Sequence, residues 1–174
     1  MRPLKTIPLL ISALASLYTS PLSAQTAEPG SLKTGTAGDW LIHQNASDGP
    51  KTCFAATQPR TKEPAGANRA KVVLYVSAWP KDGVKSEFSV KLGYRIKPDS
   101  PVTATVGSEA FKLFAEEDRA YVADNAEELK LIEAMKQGSK LVVQATSTRG
   151  TETTDTYSLS GLGQALQAIA TACP

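Results

Sequence analysis

The sequence predicts a mainly β domain: an antiparallel sandwich or barrel-like sheet with two short surface-packed α-helices. Three observations lead there. Apolar residues alternate with a period of two along Glu87 to Ile96, and again at Val102, Ala104 and Val106. Turn-forming clusters of Gly, Pro, Asn and Asp recur at roughly 8–12-residue spacing, as in all-β domains. The pattern changes to a helical period only twice, after Asp124 and after Ser160.

The first segment reads as a targeting sequence outside the fold. Arg2 and Lys5 precede an apolar run from Ile7 to Tyr18, and Leu22-Ser23-Ala24 offers small residues for cleavage. That is the pattern of a secretory signal peptide over 1–24. The run is too short for a membrane anchor, which needs roughly 20 apolar residues. Arg2 and Lys5 are the only charges in this segment, so the remainder has 17 basic and 17 acidic residues. Without net charge or a basic cluster, no nucleic-acid or anionic-lipid partner is indicated. Residues 25–38, with Pro29 and several Gly and Thr, read as a flexible leader. Residues 39–174 are then one domain, long enough for a single core.

Within that domain, Asp39 to Ile42 reads as a strand. Asn45 to Pro50 is a turn-rich break; its Asn45-Ala46-Ser47 triplet matches a glycosylation sequon but is read as a turn. Thr52 to Thr57 returns as a strand carrying Cys53 and Phe54, and Pro59 to Asn68 is a polar loop. Lys71 to Trp79 is the next strand, with Val72, Leu74, Val76 and Ala78 on one face, and Asp82-Gly83 turns the chain. In Glu87 to Ile96, Phe88, Val90, Leu92, Tyr94 and Ile96 face in. After Pro98 and Pro101 come strands at Val102–Val106, Ala110–Phe114 and Arg119–Ala123, with the acidic loop Glu116-Glu117-Asp118 between the last two. Asp124 and Asn125, followed by Glu127 and Glu128, resemble a capping box. They open a helix over 125–137 with a stripe at Leu129, Ile132 and Met135, ended by Gly138.

The final stretch, Lys140 to Cys173, reads as strand, turn at Arg149-Gly150, strand and helix. The helix is capped by Ser160 and has apolar residues at Leu162, Leu166, Ile169 and Cys173. Cys53 and Cys173 are the only cysteines. In an exported chain they form most simply an intramolecular disulfide, the alternatives being two free thiols or an intermolecular bridge.

Taken in order, GDWLIHQ at Trp40, KTCFAATQP at Cys53, EFSVKLGYRIK at 87–97, EAFKLFAEEDRAYVAD at 109–124, LIEAMKQGSKL at 131–141 and STRGTETTDTYSLSGLGQAL before Cys173 resemble the invasion-associated locus B family of exported proteobacterial proteins. The resemblance covers most of residues 38–173, and the last piece is its most specific. Many relatives carry a further cysteine pair, so this chain looks like a shorter, two-cysteine branch. Relatives often have Trp where Tyr121 stands. The resemblance implies a periplasmic, secreted or surface-associated factor that promotes host-cell interaction, and it carries no catalytic residues.

The chemistry of the residues agrees. His43 is the single histidine, which leaves a catalytic triad or metal centre without its usual companions. No metal, cofactor or catalytic residue is assigned. Glu116, Glu117 and Asp118 could supply paired carboxylates for a hydrolase, although three adjacent acids between strands are usually a solvated loop. Two places could present a binding surface. Trp79-Pro80 ends the longest apolar strand, where a Trp is either a core residue or an exposed anchor. Arg149-Gly150 is a hairpin tip, or plain turn chemistry. The reading is therefore an exported, non-enzymatic interaction protein with an unidentified protein partner, on a host surface or in the bacterial envelope. A periplasmic assembly helper or enzyme inhibitor is the alternative.

Overall fold

The computed structural model describes residues 31–45 and 51–174. The expected signal peptide, residues 25–30 of the expected leader and the sequon beyond Asn45 lie outside these. The strands are β1 (Ser31–Ala37), β2 (Trp40–Asn45), β3 (Cys53–Thr57), β4 (Thr61–Glu63), β5 (Val73–Trp79), β6 (Val84–Lys91), β7 (Val102–Val106), β8 (Glu109–Glu116) and β9 (Arg119–Tyr121). Helix α1 (Asn125–Gln137) follows, then β10 (Lys140–Thr146), β11 (Glu152–Ser158) and α2 (Leu162–Ala172). The spatial order is β1-β2-β3-β5-β6-β9-β8-β7-β10-β11-β4, antiparallel throughout.

Strand β8 folds this ribbon into a sandwich. Its first part, Glu109 to Leu113, pairs with β7, and Phe114 to Glu116 pair with β9. One layer is therefore β1, β2, β3, β5, β6 and β9, and the other is β7, β10, β11 and β4. The sheet does not close, because β1 and β4 stand at its two ends. Between the layers lie Trp40, Leu74, Val76, Phe88, Leu141 and Tyr157, all essentially inaccessible to solvent. The helices complete this core through Leu131, Ile132 and Met135 of α1 and Leu162, Ala165 and Ile169 of α2.

The disulfide Cys53–Cys173 is formed, with its Cα atoms 5.9 Å apart, and ties the end of α2 to β3. The start of α2 is held as tightly. Gly161 has φ +89°, and a Cβ there would come within 2.2 Å of the Ala37 carbonyl oxygen. Asp39 N–H donates to the Ser160 carbonyl across this contact.

Between the two layers Arg69 forms a bidentate pair with Asp155, at 2.7 and 2.6 Å, and donates to the Leu92 carbonyl. The Asp155 side chain is fully buried and that of Arg69 nearly so. Burial works against the Arg69 charge, but hydrogen bonding and attraction to Asp155 leave its pKa raised. Tyr94 lies under the guanidinium, 5.0 Å from its ring centre, and bonds the Thr153 hydroxyl.

Several sequence expectations are corrected. Ser31–Ala37, expected within the leader, pairs with β2 along its length, because its backbone groups complete the ladder even though few of its side chains are apolar. The polar loop at 59–68 contains β4, which pairs with β11. The alternating run at 87–96 stops as a strand at Lys91, because Gly93 takes φ +73° against the Ala70 carbonyl. Its inward pattern nevertheless continues, with Leu92 and Ile96 buried. In α1 the buried stripe is Leu131, Ile132 and Met135, while Leu129 is exposed. The N-cap of α2 is Gly161, and Ser160 makes no side-chain cap.

Candidate binding face

The outward face of the first layer carries a row of rings placed by strand register. In β5 the inward residues are Leu74, Val76 and Ala78, so Val73, Tyr75 and Ser77 face outward, yet they too are buried. Ring contacts cover Tyr75. Phe54 meets it edge-on at 5.9 Å, and Arg119 lies over its ring at 5.3 Å. His43 stacks on Phe54 at 4.9 Å, since the two are directly paired between β2 and β3. On the other side, Tyr121 of β9 stacks on Phe114 of β8 at 5.4 Å, again a direct cross-strand pair.

Two outward aromatics are the most exposed of this face. Trp79 is 37% exposed and Phe114 is 45% exposed. The Trp79 indole N–H hydrogen-bonds the Glu87 carboxylate. Burial pushes the Glu87 pKa up, opposed by Arg119 and by that bond. Arg119 thus faces Tyr75, Glu87 and Tyr121 together, and burial raises the Tyr121 hydroxyl pKa against its influence. The face therefore presents Trp, Phe, Tyr and Arg side by side, the mix enriched where protein partners bind.

Of the residues singled out from sequence, Trp79 is exposed here, not the core residue that strand-end tryptophans more often are. Pro80 begins the single 3₁₀ turn that follows it. Arg149 and Gly150 form the exposed hairpin tip, with Gly150 at φ +83° as the turn requires. Arg149 donates to the Asn68 carbonyl. Asn68 precedes the Val73 end of β5, whereas Trp79 ends that strand. Arg149 thus meets Asn68 whereas Trp79 meets Glu87, and the two are separate candidates.

The carboxylates of the acidic loop each stand against a cation. Asp118 pairs with Lys91 at 3.6 Å, Glu117 with Arg95 at 3.7 Å, and Glu116 stands opposite Arg119 in register. Among the described residues, no cluster of three or more His, Cys, Asp or Glu could hold a metal ion. No helix among them is long and apolar enough to cross a membrane.

Sequence reasoning missed Phe114, Tyr121 and Arg119 as a group. Phe111 and Leu113 set the inward parity of β8, which turns Phe114 outward between Lys112 and Glu116. That parity was readable, but the pairing that brings Phe114 onto Tyr121 was not.

Comparisons agree with this architecture. The family model described as invasion associated locus B (IalB) protein matches residues 41–170. The crystal structure of invasion associated protein b from Bartonella henselae superposes with a TM-score of 0.57 at 21% sequence identity. The match covers 79% of this chain and 96% of that one, a likeness of fold. No curated protein matches the chain.

Proposed function

The chain belongs to the invasion associated locus B family, and from that premise we propose that it is an exported binding protein acting through the aromatic face of its first layer. The observation that carries this reading is that exposed Trp79 and Phe114 lie on one face, linked through Glu87, Arg119 and Tyr121. Export is supported by the pattern of residues 1–24 and by the disulfide, a bond that persists in oxidising compartments. The face offers apolar area, a cation and carboxylates side by side, which suits recognition of a protein partner. Arg149 and Gly150, at the tip between β10 and β11, are a separate candidate contact. The partner we propose is a protein, on a host surface or in the bacterial envelope, and the promotion of host-cell interaction is the finer form of this proposal.

Affinity capture tests it, with purified protein offered in parallel to envelope extract and to host-cell membranes. A partner lost with Trp79→Ala and Phe114→Ala, and kept with Arg149→Ala, supports the face. A host partner supports the invasion-type role, whereas capture of envelope proteins alone moves the function to the periplasm. Retention of every partner by the Trp79→Ala/Phe114→Ala double variant overturns the face as the contact.

A further inference from the structure

The same face carries a second feature, which adjoins the aromatic row at His43. A pocket of about 400 Å³ opens beside the β1–β2 turn, within the size range of small-molecule sites. Its apolar lining comes from Leu41, Ala56 and Val73, which β2, β3 and β5 turn outward side by side. Its polar lining includes Thr36, Asp39, Gln58, Arg60 and Lys71. Lys71 and the Arg60–Asp39 pair thus stand beside an apolar surface.

The charged wall is preorganised. Arg60 N–H donates to the Thr156 carbonyl at 2.7 Å, which fixes its loop to β11. Its Nη2 is held by Asp39, and the Thr57 hydroxyl donates to the Asp39 carbonyl. Hydrogen bonds from Arg60 and Ser158 hold the Asp39 carboxyl below its ordinary pKa. The turn bearing Asp39 is locked against α2 by the Gly38 and Gly161 contacts. The Arg60 side chain is still 66% exposed, and a guanidinium has further donors in a fixed fork suited to a carboxylate or phosphate.

We propose that this pocket binds a compact amphipathic anion, a carboxylate or phosphate on a small apolar body. The anionic group meets Arg60, and the body lies on Leu41, Ala56 and Val73. The pocket borders the aromatic row through His43 and Val73 but contains neither Trp79 nor Phe114, so either reading can fail without the other.

The test is a titration of the purified protein with hexanoate, phenyl phosphate and inorganic phosphate, followed by backbone amide NMR. Hexanoate or phenyl phosphate should shift the amides of Gly38, Ala56, Gln58 and Lys71 together, with a Kd of about 1 mM or tighter. The stronger of the two identifies the anion. Arg60→Met should weaken binding about tenfold by removing a charge-assisted bond. Thr36→Trp, at an exposed strand position, should block the pocket without changing its charge. Unchanged melting of both variants shows that the fold is intact. The proposal is overturned if no probe shifts these amides, or if neither variant changes the binding. It also fails if inorganic phosphate binds as well as phenyl phosphate, which would mean an adventitious ion only.

Discussion

At the scale of single residues, the Arg69–Asp155 pair dominates the core. Both charges are out of water, so each depends on the other. Arg69→Met should cost about 3–5 kcal/mol, because it leaves a buried carboxylate without compensation. Arg69→Met/Asp155→Leu should recover much of that loss, since apolar replacement of both partners of a buried pair is often neutral. Urea unfolding of the two variants checks both. This pair could not be read from the sequence. Its partners are 86 residues apart, and Arg69 sits just after the polar loop at 59–68, where nothing marks it for burial. Only the parity of β11 hinted at it, placing Asp155 on the buried side between Thr153 and Tyr157. In the sequence Trp79 reads as either a core residue or an exposed anchor, and only its exposure in the fold separates the two.

At the scale of elements, α1 shows how a pattern can be right in kind and rotated in detail. The cap was legible: Asp124 accepts from the amides of Ala126 and Glu127. The buried stripe was misjudged by choosing Leu129 over Leu131, which are 200° apart on a helical wheel at roughly 100° per residue. What fixes the rotation is Glu128, whose Oε1 accepts from Phe88 N–H at 2.7 Å. That donor lies one residue beyond the Ser89–Tyr121 pair, where β9 stops covering β6. Burial pushes the Glu128 pKa above 4.5, the Phe88 bond opposes this, and Glu87 adds to it. A carboxyl with a raised folded pKa holds its proton more tightly when folded. Its contribution is therefore present below the unfolded value and lost as pH rises through the folded pKa. Stability should rise as pH falls from neutral toward 4.5, and Glu128→Gln should flatten that rise in melting scans. Glu128→Ala, which abandons the Phe88 amide, should instead cost about 1 kcal/mol.

At the scale of the molecule, the sheet was legible as antiparallel and sandwich-like, but its order was not. Local turns declare which neighbours pair, whereas the exchange of partners midway along β8 is a long-range event without a local signature. The cysteine bond was legible from two cysteines, one of them on the apolar side of a terminal helix. Cys173→Ser should lower stability by about 2–5 kcal/mol, the usual cost of losing a native disulfide. Differential calorimetry checks this, and an unchanged melting temperature would mean that packing alone secures α2.

The placement of that bond also has a mechanical consequence. A pull applied to the two ends of the chain enters at β1, crosses from Cys53 to Cys173 and leaves through Pro174. Everything between the cysteines carries no tension. Under load, β1 and β2 should peel away from α2 and β3 while the rest stays folded as a shielded ring. Reduction of the bond should then release its 120-residue separation as about 400 Å of additional extension in a single-molecule stretching trace.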